Sequence, residues 1–146
     1  MSESSIRALA HRYCDAISRG DEEQLRDTWS EHATWTLPPG RSATGREEIV
    51  ALWKRAVAPT VGVIQVALNG ECREVDGRWI GRWYVQEYIA KPEGSNLLIA
   101  FYDDEYVEED GTWRFADRTM HWLYRGPSGM AIEGFTPLPS DLRLPR

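Results

Sequence analysis

The sequence predicts an α+β fold, and three observations predict it. Helical patterns occupy the chain up to Pro59, strand patterns run from Val61 to Tyr124, and tight-turn residues rather than helices join those strands. Helices segregated from an antiparallel meander give that class. The seven Trp, six Tyr and three Phe supply ring area for a core.

The first helix covers 5–18. Ile6, Leu9, Ala10, Tyr13 and Ile17 recur at steps of three and four, with Arg7, Arg12, Asp15 and Arg19 turned elsewhere. Gly20 closes it. Asp21 N-caps a short second helix, with Glu22 and Glu23 in the first turn and Leu25 and Trp29 as its buried side. A short strand over 33–37 stops at Pro38-Pro39-Gly40. The third helix opens near Gly45, buries Ile49, Leu52, Trp53 and Val57, and closes at Pro59.

Strands follow at 61–74, 79–90, 96–108 and 112–124. Val75-Asp76-Gly77-Arg78, Lys91-Pro92-Glu93-Gly94 and Glu109-Asp110-Gly111 are the turns between them. The expected organisation is a pocket domain over 1–125 and an irregular tail over 126–146, which holds Pro127, Pro137, Pro139 and Pro145.

Charge and composition narrow the function. The chain has 146 residues and a net charge of −6, so no basic footprint for nucleic acid is present. No apolar run approaches the ~20 residues of a membrane span, and the N-terminus carries no secretory pattern, so a cytoplasmic protein is expected. Cys14 and Cys72 form no disulfide framework or zinc motif, and His11, His32 and His121 lie far apart. No metal and no cofactor are expected. Of the acidic run, Asp103 and Glu105 face away from Asp104 and Glu108, and a solvated hairpin end is the expected reading.

The strand holding residues 82–89 is the most informative. Trp83, Val85, Glu87 and Ile89 share one face; Arg82, Tyr84, Gln86 and Tyr88 share the other. A carboxylate among large apolar residues is desolvated, which lifts its pKa toward acid–base use. The competing reading puts Glu87 at the sheet rim or pairs it with an Arg such as Arg118. Tyr13 is either core or a pocket phenol that donates to a substrate oxygen. Trp35 is packing or an aromatic wall. His121 is a core histidine unless a pocket reaches it.

Several strings, in order, resemble the SnoaL-like branch of the nuclear transport factor 2-like superfamily. They are Tyr13-Cys14-Asp15-Ala16-Ile17-Ser18-Arg19-Gly20-Asp21, Ala33-Thr34-Trp35, Thr44-Gly45-Arg46-Glu47-Glu48-Ile49, Gly81-Arg82-Trp83-Tyr84, Tyr102-Asp103-Asp104-Glu105-Tyr106 and Glu109-Asp110-Gly111-Thr112-Trp113-Arg114-Phe115. The resemblance covers about 5–124. It implies a curved antiparallel sheet closed by helices into a cone-shaped barrel around a deep apolar pocket. Dehydratase-like members use an Asp–His pair with an assisting Tyr. Tyr13 matches that Tyr, and Glu87 falls at an acid position. The Asp falls at Ser18 and the His at Gln65 or Val66, so the pair is missing.

Together these readings predict a small-molecule enzyme for isomerisation, cyclisation, dehydration or retro-aldol cleavage of a hydrophobic or aromatic substrate. Glu87 is its acid–base group and Tyr13 its hydrogen-bond donor. Trp35, Gln65, Trp83, Tyr102, Arg118, His121 and Trp122 are the candidate substrate-contacting residues, with a bulge in the last strand needed to turn Arg118 or His121 inward. The alternative is a noncatalytic binding or dimerisation module. In either case the outward row from Arg82 to Tyr88 predicts a homodimer or higher homo-oligomer through the sheet.

Overall fold

Three helices and six strands make up the computed structural model, which describes residues 2–136 together with Leu138 and Leu142. Pro137, Pro139 and Pro145 of the expected tail lie outside the described residues. Helix α1 (Ser2–Arg19) buries Ile6, Leu9, Ala10, Tyr13 and Ile17, the stripe its spacing predicts, and Cys14 and Ala16 besides. Gly20 ends it with φ +66°, a left-handed conformation that glycine adopts without a Cβ clash. In α2 (Glu22–Asp27) the side chain of Asp21 accepts from the Gln24 backbone N–H.

Strand β1 (Trp29–Leu37) begins earlier than expected, and Trp29 belongs to it rather than to the second helix. Trp29 is buried against Tyr13, Trp35 and Phe115, with ring centroids 5.4–5.9 Å away. Burying one such side chain contributes about 1.5–3 kcal/mol, and tertiary burial of this kind overrides the weak helical pattern around it. Arg46 holds the entry by donating from Nε to the Trp29 carbonyl at 2.8 Å. A strand not expected from sequence, β2 (Arg41–Thr44), folds back on β1, and α3 (Arg46–Val57) follows.

The long strands are β3 (Gly62–Val75), β4 (Arg78–Lys91), β5 (Gly94–Glu109) and β6 (Thr112–Pro127). Both short turns between them place Asp then Gly at positive φ, 52° and 77° at Asp76-Gly77, 53° and 76° at Asp110-Gly111. Two such residues in succession match the twist of a two-residue hairpin. The sheet order is β2-β1-β6-β5-β4-β3. All neighbours are antiparallel except β1 and β6, which run parallel. The sheet curves but does not close: β2 and β3 are its edges, so the expected barrel is an open cone.

Bulges shape the curve. Between β3 and β4 the register shifts between Ala67 and Gly70. At Gly70 the ring of Trp83 lies where a Cβ would be, 2.1 Å from that position, so only glycine admits the indole. The β5–β6 register shifts twice, between Ile99 and Ala100 and between Glu105 and Tyr106. Helices α1 and α3 cover the inner face, and between them and the sheet a cavity remains.

Candidate functional site

The cavity has a volume of about 850 Å³ and is walled mainly by apolar and aromatic side chains. Tyr13 and Ile17 come from α1, Trp53 from α3, Trp35 from β1, and Tyr102, Met120 and Trp122 from β5 and β6. Glu87 is its only carboxylate among the described residues. Strand alternation puts Glu87 there: Val85, Glu87 and Ile89 point inward as expected, and Tyr84 and Gln86 outward.

Glu87 is half-buried because its carboxylate opens on the cavity, yet it has little to solvate it. Gln65, directly opposite on β3, donates from Nε2 to Oε2 at 3.2 Å, the one side-chain hydrogen bond Glu87 makes among the described residues. Burial raises the Glu87 pKa from the ordinary 4.5 to about 7, with the Gln65 bond opposing the rise. Among the described residues no cation pairs with it, and Arg118 is bound to Asp104 instead.

Gln65 is itself held on both sides. Its backbone N–H donates to the Ser18 hydroxyl at 2.9 Å, and that hydroxyl donates to the Gln65 carbonyl at 3.1 Å. The Cys14 thiol donates to Gln65 Oε1 at 3.3 Å, which turns the amide nitrogen toward Glu87. Burial pushes the Cys14 thiol up to about 12, so it remains a donor. Ser18 and Gln65 thus bond each other and present one amide to one carboxylate.

Tyr13 and Tyr102 meet at the floor of the cavity with ring centroids 6.0 Å apart. Burial raises the pKa of both phenols, more than Arg118 lowers them, so both stay protonated. Arg118 lies behind them, outside the cavity wall, with its guanidinium 4.5 Å from the Tyr13 ring centroid and 3.9 Å from that of Tyr102. Its Nε and Nη2 donate to Asp104 at 2.7 and 2.9 Å. Burial would discharge Arg118, but Asp104 outweighs burial and keeps its pKa raised. For Asp104 burial raises the carboxyl, with Arg118 and Tyr106 opposing. Asp104 is therefore not part of a solvated hairpin end: it is a buried counter-charge, which the alternation of an acidic run cannot distinguish from a wet one.

Two further expected contacts lie elsewhere. Trp83 is fully buried under α1, with Nε1 donating to the Tyr106 hydroxyl at 2.8 Å, and it does not line the cavity. It sits four residues, or roughly 13 Å, along β4 from Glu87. His121 faces outward, stacked on Phe101 at 4.7 Å and 3.3 Å from Asp103. Arg118, Met120 and Trp122 take the inward positions, and no register shift falls between Arg118 and Trp122 to turn His121 inward. Trp35, Gln65, Tyr102 and Trp122 are brought together with Glu87 and Tyr13. Sequence reasoning missed Trp53, read as helix core, and the cations Arg41, Lys91 and Arg125 at the cavity rim; their signal, a strand end or hairpin each, emerges only once the sheet order is known.

A second depression of about 810 Å³ lies on the outer face of the sheet, around Arg82, Tyr84 and Asp103. Part of its charge is paired, as in the 3.0 Å Arg82–Asp103 contact and the Arg118–Asp104 bridge.

Comparison with known proteins agrees with this architecture. The model of the SnoaL-like domain matches residues 2–119. No curated protein matches the sequence closely enough to count as a relative. Among solved structures, a type 2 hexachlorocyclohexane dehydrochlorinase (LinA) superposes with TM-score 0.81 at 24% identity, covering 92% of each chain. A type 3 enzyme of that name from Novosphingobium barchaimii LL02 gives 0.80 at 24% identity, covering 92% of this chain and 94% of its own. A scytalone dehydratase-like protein from Novosphingobium aromaticivorans DSM 12444 gives 0.77 at 19% identity, over 88% and 93%. At these identities the likeness shows the fold.

Proposed function

The chain belongs to the SnoaL-like domain family, and from that premise we propose that it is a cofactor-independent enzyme of acid–base chemistry. Its substrate is a hydrophobic molecule bearing a carbonyl or hydroxyl group, and its reaction is a lyase-, isomerase- or cyclase-type proton transfer. The observation that carries this reading is Glu87: one carboxylate in an apolar cavity, with one amide donor and a pKa of about 7. A base poised near neutrality combines a populated basic form with a useful driving force.

In this reading each residue of the site has one task. Glu87 takes a proton from the carbon beside the substrate carbonyl or from its hydroxyl. Tyr13, held protonated by burial, donates a hydrogen bond to the oxygen on which charge develops. Gln65 orients the carboxylate through Oε2, and Cys14 and Ser18 fix Gln65. Protonated Glu87 then returns the proton at another atom, or to the leaving hydroxyl. Trp35, Trp53 and Trp122 exclude water and stack on a flat substrate.

The test starts from a thermal-shift screen of carbonyl- and hydroxyl-bearing polycyclic aromatic compounds, followed by turnover assays on those that bind. Glu87→Gln keeps the shape of the side chain and removes the proton carrier, so it should lower the rate about 10²–10⁴-fold. Unchanged turnover in that variant overturns the mechanism. A second reading, a binding module without turnover, is favoured by the Ser18 hydroxyl, which is occupied by the Gln65 backbone N–H and carbonyl and so takes no part in proton transfer. It expects ligands to bind and none to be converted.

A further inference from the structure

We propose that the cavity receives an organic anion, its apolar body among the indoles and its acid group at the mouth between Arg41, Lys91 and Arg125. The inference names the substrate class for the site and rests on the acid–base reading only for what happens at Glu87.

Charge placement carries it. In a chain of net charge −6, most described cations lie in ion pairs with Asp or Glu. Arg41, Lys91 and Arg125 have no such partner among the described residues, and all three line the same cavity. They arrive from separate elements at one end of the sheet. Arg41 opens β2 opposite Leu37, Lys91 ends β4 opposite Gly94, and Arg125 lies on β6 opposite Leu98. Three like charges around one opening repel each other, and a bound anion relieves that repulsion. Arg125 does not float free: its guanidinium lies 4.4 Å from the Trp122 ring centroid, so the cation is held over a cavity wall.

Register fixes the spacing. Glu87, Leu98 and Arg125 form one row across β4, β5 and β6. Glu87 and Arg125 are therefore two strands apart, roughly 10 Å between backbones, and Lys91 lies roughly 13 Å along β4. A substrate one or two rings long spans that gap. Its anion then meets cations while its reacting carbon meets the base, and the two negative charges stay apart.

The test is a matched pair of probes, 1-naphthaleneacetate and its neutral isostere 1-naphthaleneacetamide, titrated calorimetrically and by quenching of tryptophan fluorescence. The acid should bind about 10- to 100-fold tighter than the amide at low salt, the range for charge-assisted hydrogen bonds. The triple variant Arg41→Gln, Lys91→Gln, Arg125→Gln should abolish the preference and leave amide binding unchanged. 1-Naphthyl phosphate as a third arm separates a phosphate ester from a carboxylate by which of the two gains more from the cations. Equal binding of acid and amide, a preference that survives in the triple variant, or binding of neither at millimolar concentration overturns the proposal. An acid preference with unchanged turnover in Glu87→Gln would overturn the acid–base reading and leave this one standing.

Discussion

Asp104 and Arg118 stand directly opposite each other on β5 and β6 and share two hydrogen bonds, of 2.7 and 2.9 Å, inside the protein. Arg118 is 1% exposed, and the Tyr102 and Phe115 ring centroids each lie 3.9 Å from its guanidinium carbon. The Tyr106 hydroxyl donates to the same carboxylate at 3.0 Å, and Trp83 donates to Tyr106. A single charge pair thus ties the phenols of the cavity floor to Tyr106 and Trp83.

Breaking that pair leaves a buried charge without its partner. Asp104→Asn should destabilise the protein by about 3–5 kcal/mol. Urea denaturation at neutral pH measures it as a lowered midpoint with little change in slope. The double variant Asp104→Leu, Arg118→Met, which removes both charges, should recover most of the loss. A single variant as stable as the parent would mean that the pair is not desolvated.

Glu87 makes stability depend on pH in the opposite sense to a salt-bridged acid. Its folded pKa of about 7 lies above the ordinary 4.5. Below about pH 4.5 the carboxyl is protonated in both states and carries no penalty. As pH rises through about 7, the unfolded chain ionises easily and the folded one reluctantly, so stability is lost. The loss is about 2–3 kcal/mol after allowance for the cavity-facing side of the carboxylate. Glu87→Gln should therefore exceed the parent in stability at pH 8 and match it near pH 4.5. Parallel stability curves across that range would refute the shift.

The outer face of β4 supplies a prediction about assembly. Tyr84 lies 5.9 Å from Phe101, Phe101 stacks on His121, and Arg82 lies over Phe101 at 4.9 Å. Leu123 and Tyr124 are exposed on β6. Aromatic and arginine side chains concentrated on one face favour association, so the protein should form a dimer or higher oligomer through this surface. Light scattering at tens of micromolar should give at least twice the 16.7 kDa chain mass. Tyr84→Glu should shift it toward the monomer with an unchanged circular dichroism spectrum.

How much of this was legible in the sequence depends on the range of the interaction. The stripe of α1, the Asp21 cap and the Asp-Gly hairpins are local, and periodicity or turn chemistry reveals them. Glu87 was legible as an inward carboxylate because the pairing of β4 with β5 runs without a register shift. Trp29, Asp104 and His121 were misplaced because their environment is set by partners far along the chain. Trp29 enters a strand because Phe115 and Tyr13 meet it. Asp104 is dry because Arg118 is opposite. The clamp of Cys14 and Ser18 on Gln65 joins α1 to β3, and no spacing rule connects them. The rim cations were invisible for the same reason: three separate turns and strand ends converge only after the sheet is assembled.

The parallel pairing of β1 with β6 has a consequence for the order in which the molecule can be made. Trp35 lies opposite Arg118, so on the side away from β2 the first strand finds its neighbour only in a strand made long after it. Until β6 emerges, Trp29 lacks Phe115, β5 has a bare hydrogen-bonding edge, and the cavity lacks the wall that Met120 and Trp122 supply. Contacts so distant in sequence are slow to form and leave an exposed, sticky intermediate meanwhile. A nascent chain arrested before Thr112 should therefore be a substrate for chaperones rather than a partly working protein. Helix α1, although made first, meets its full packing surface only when both β3 and β6 are in place.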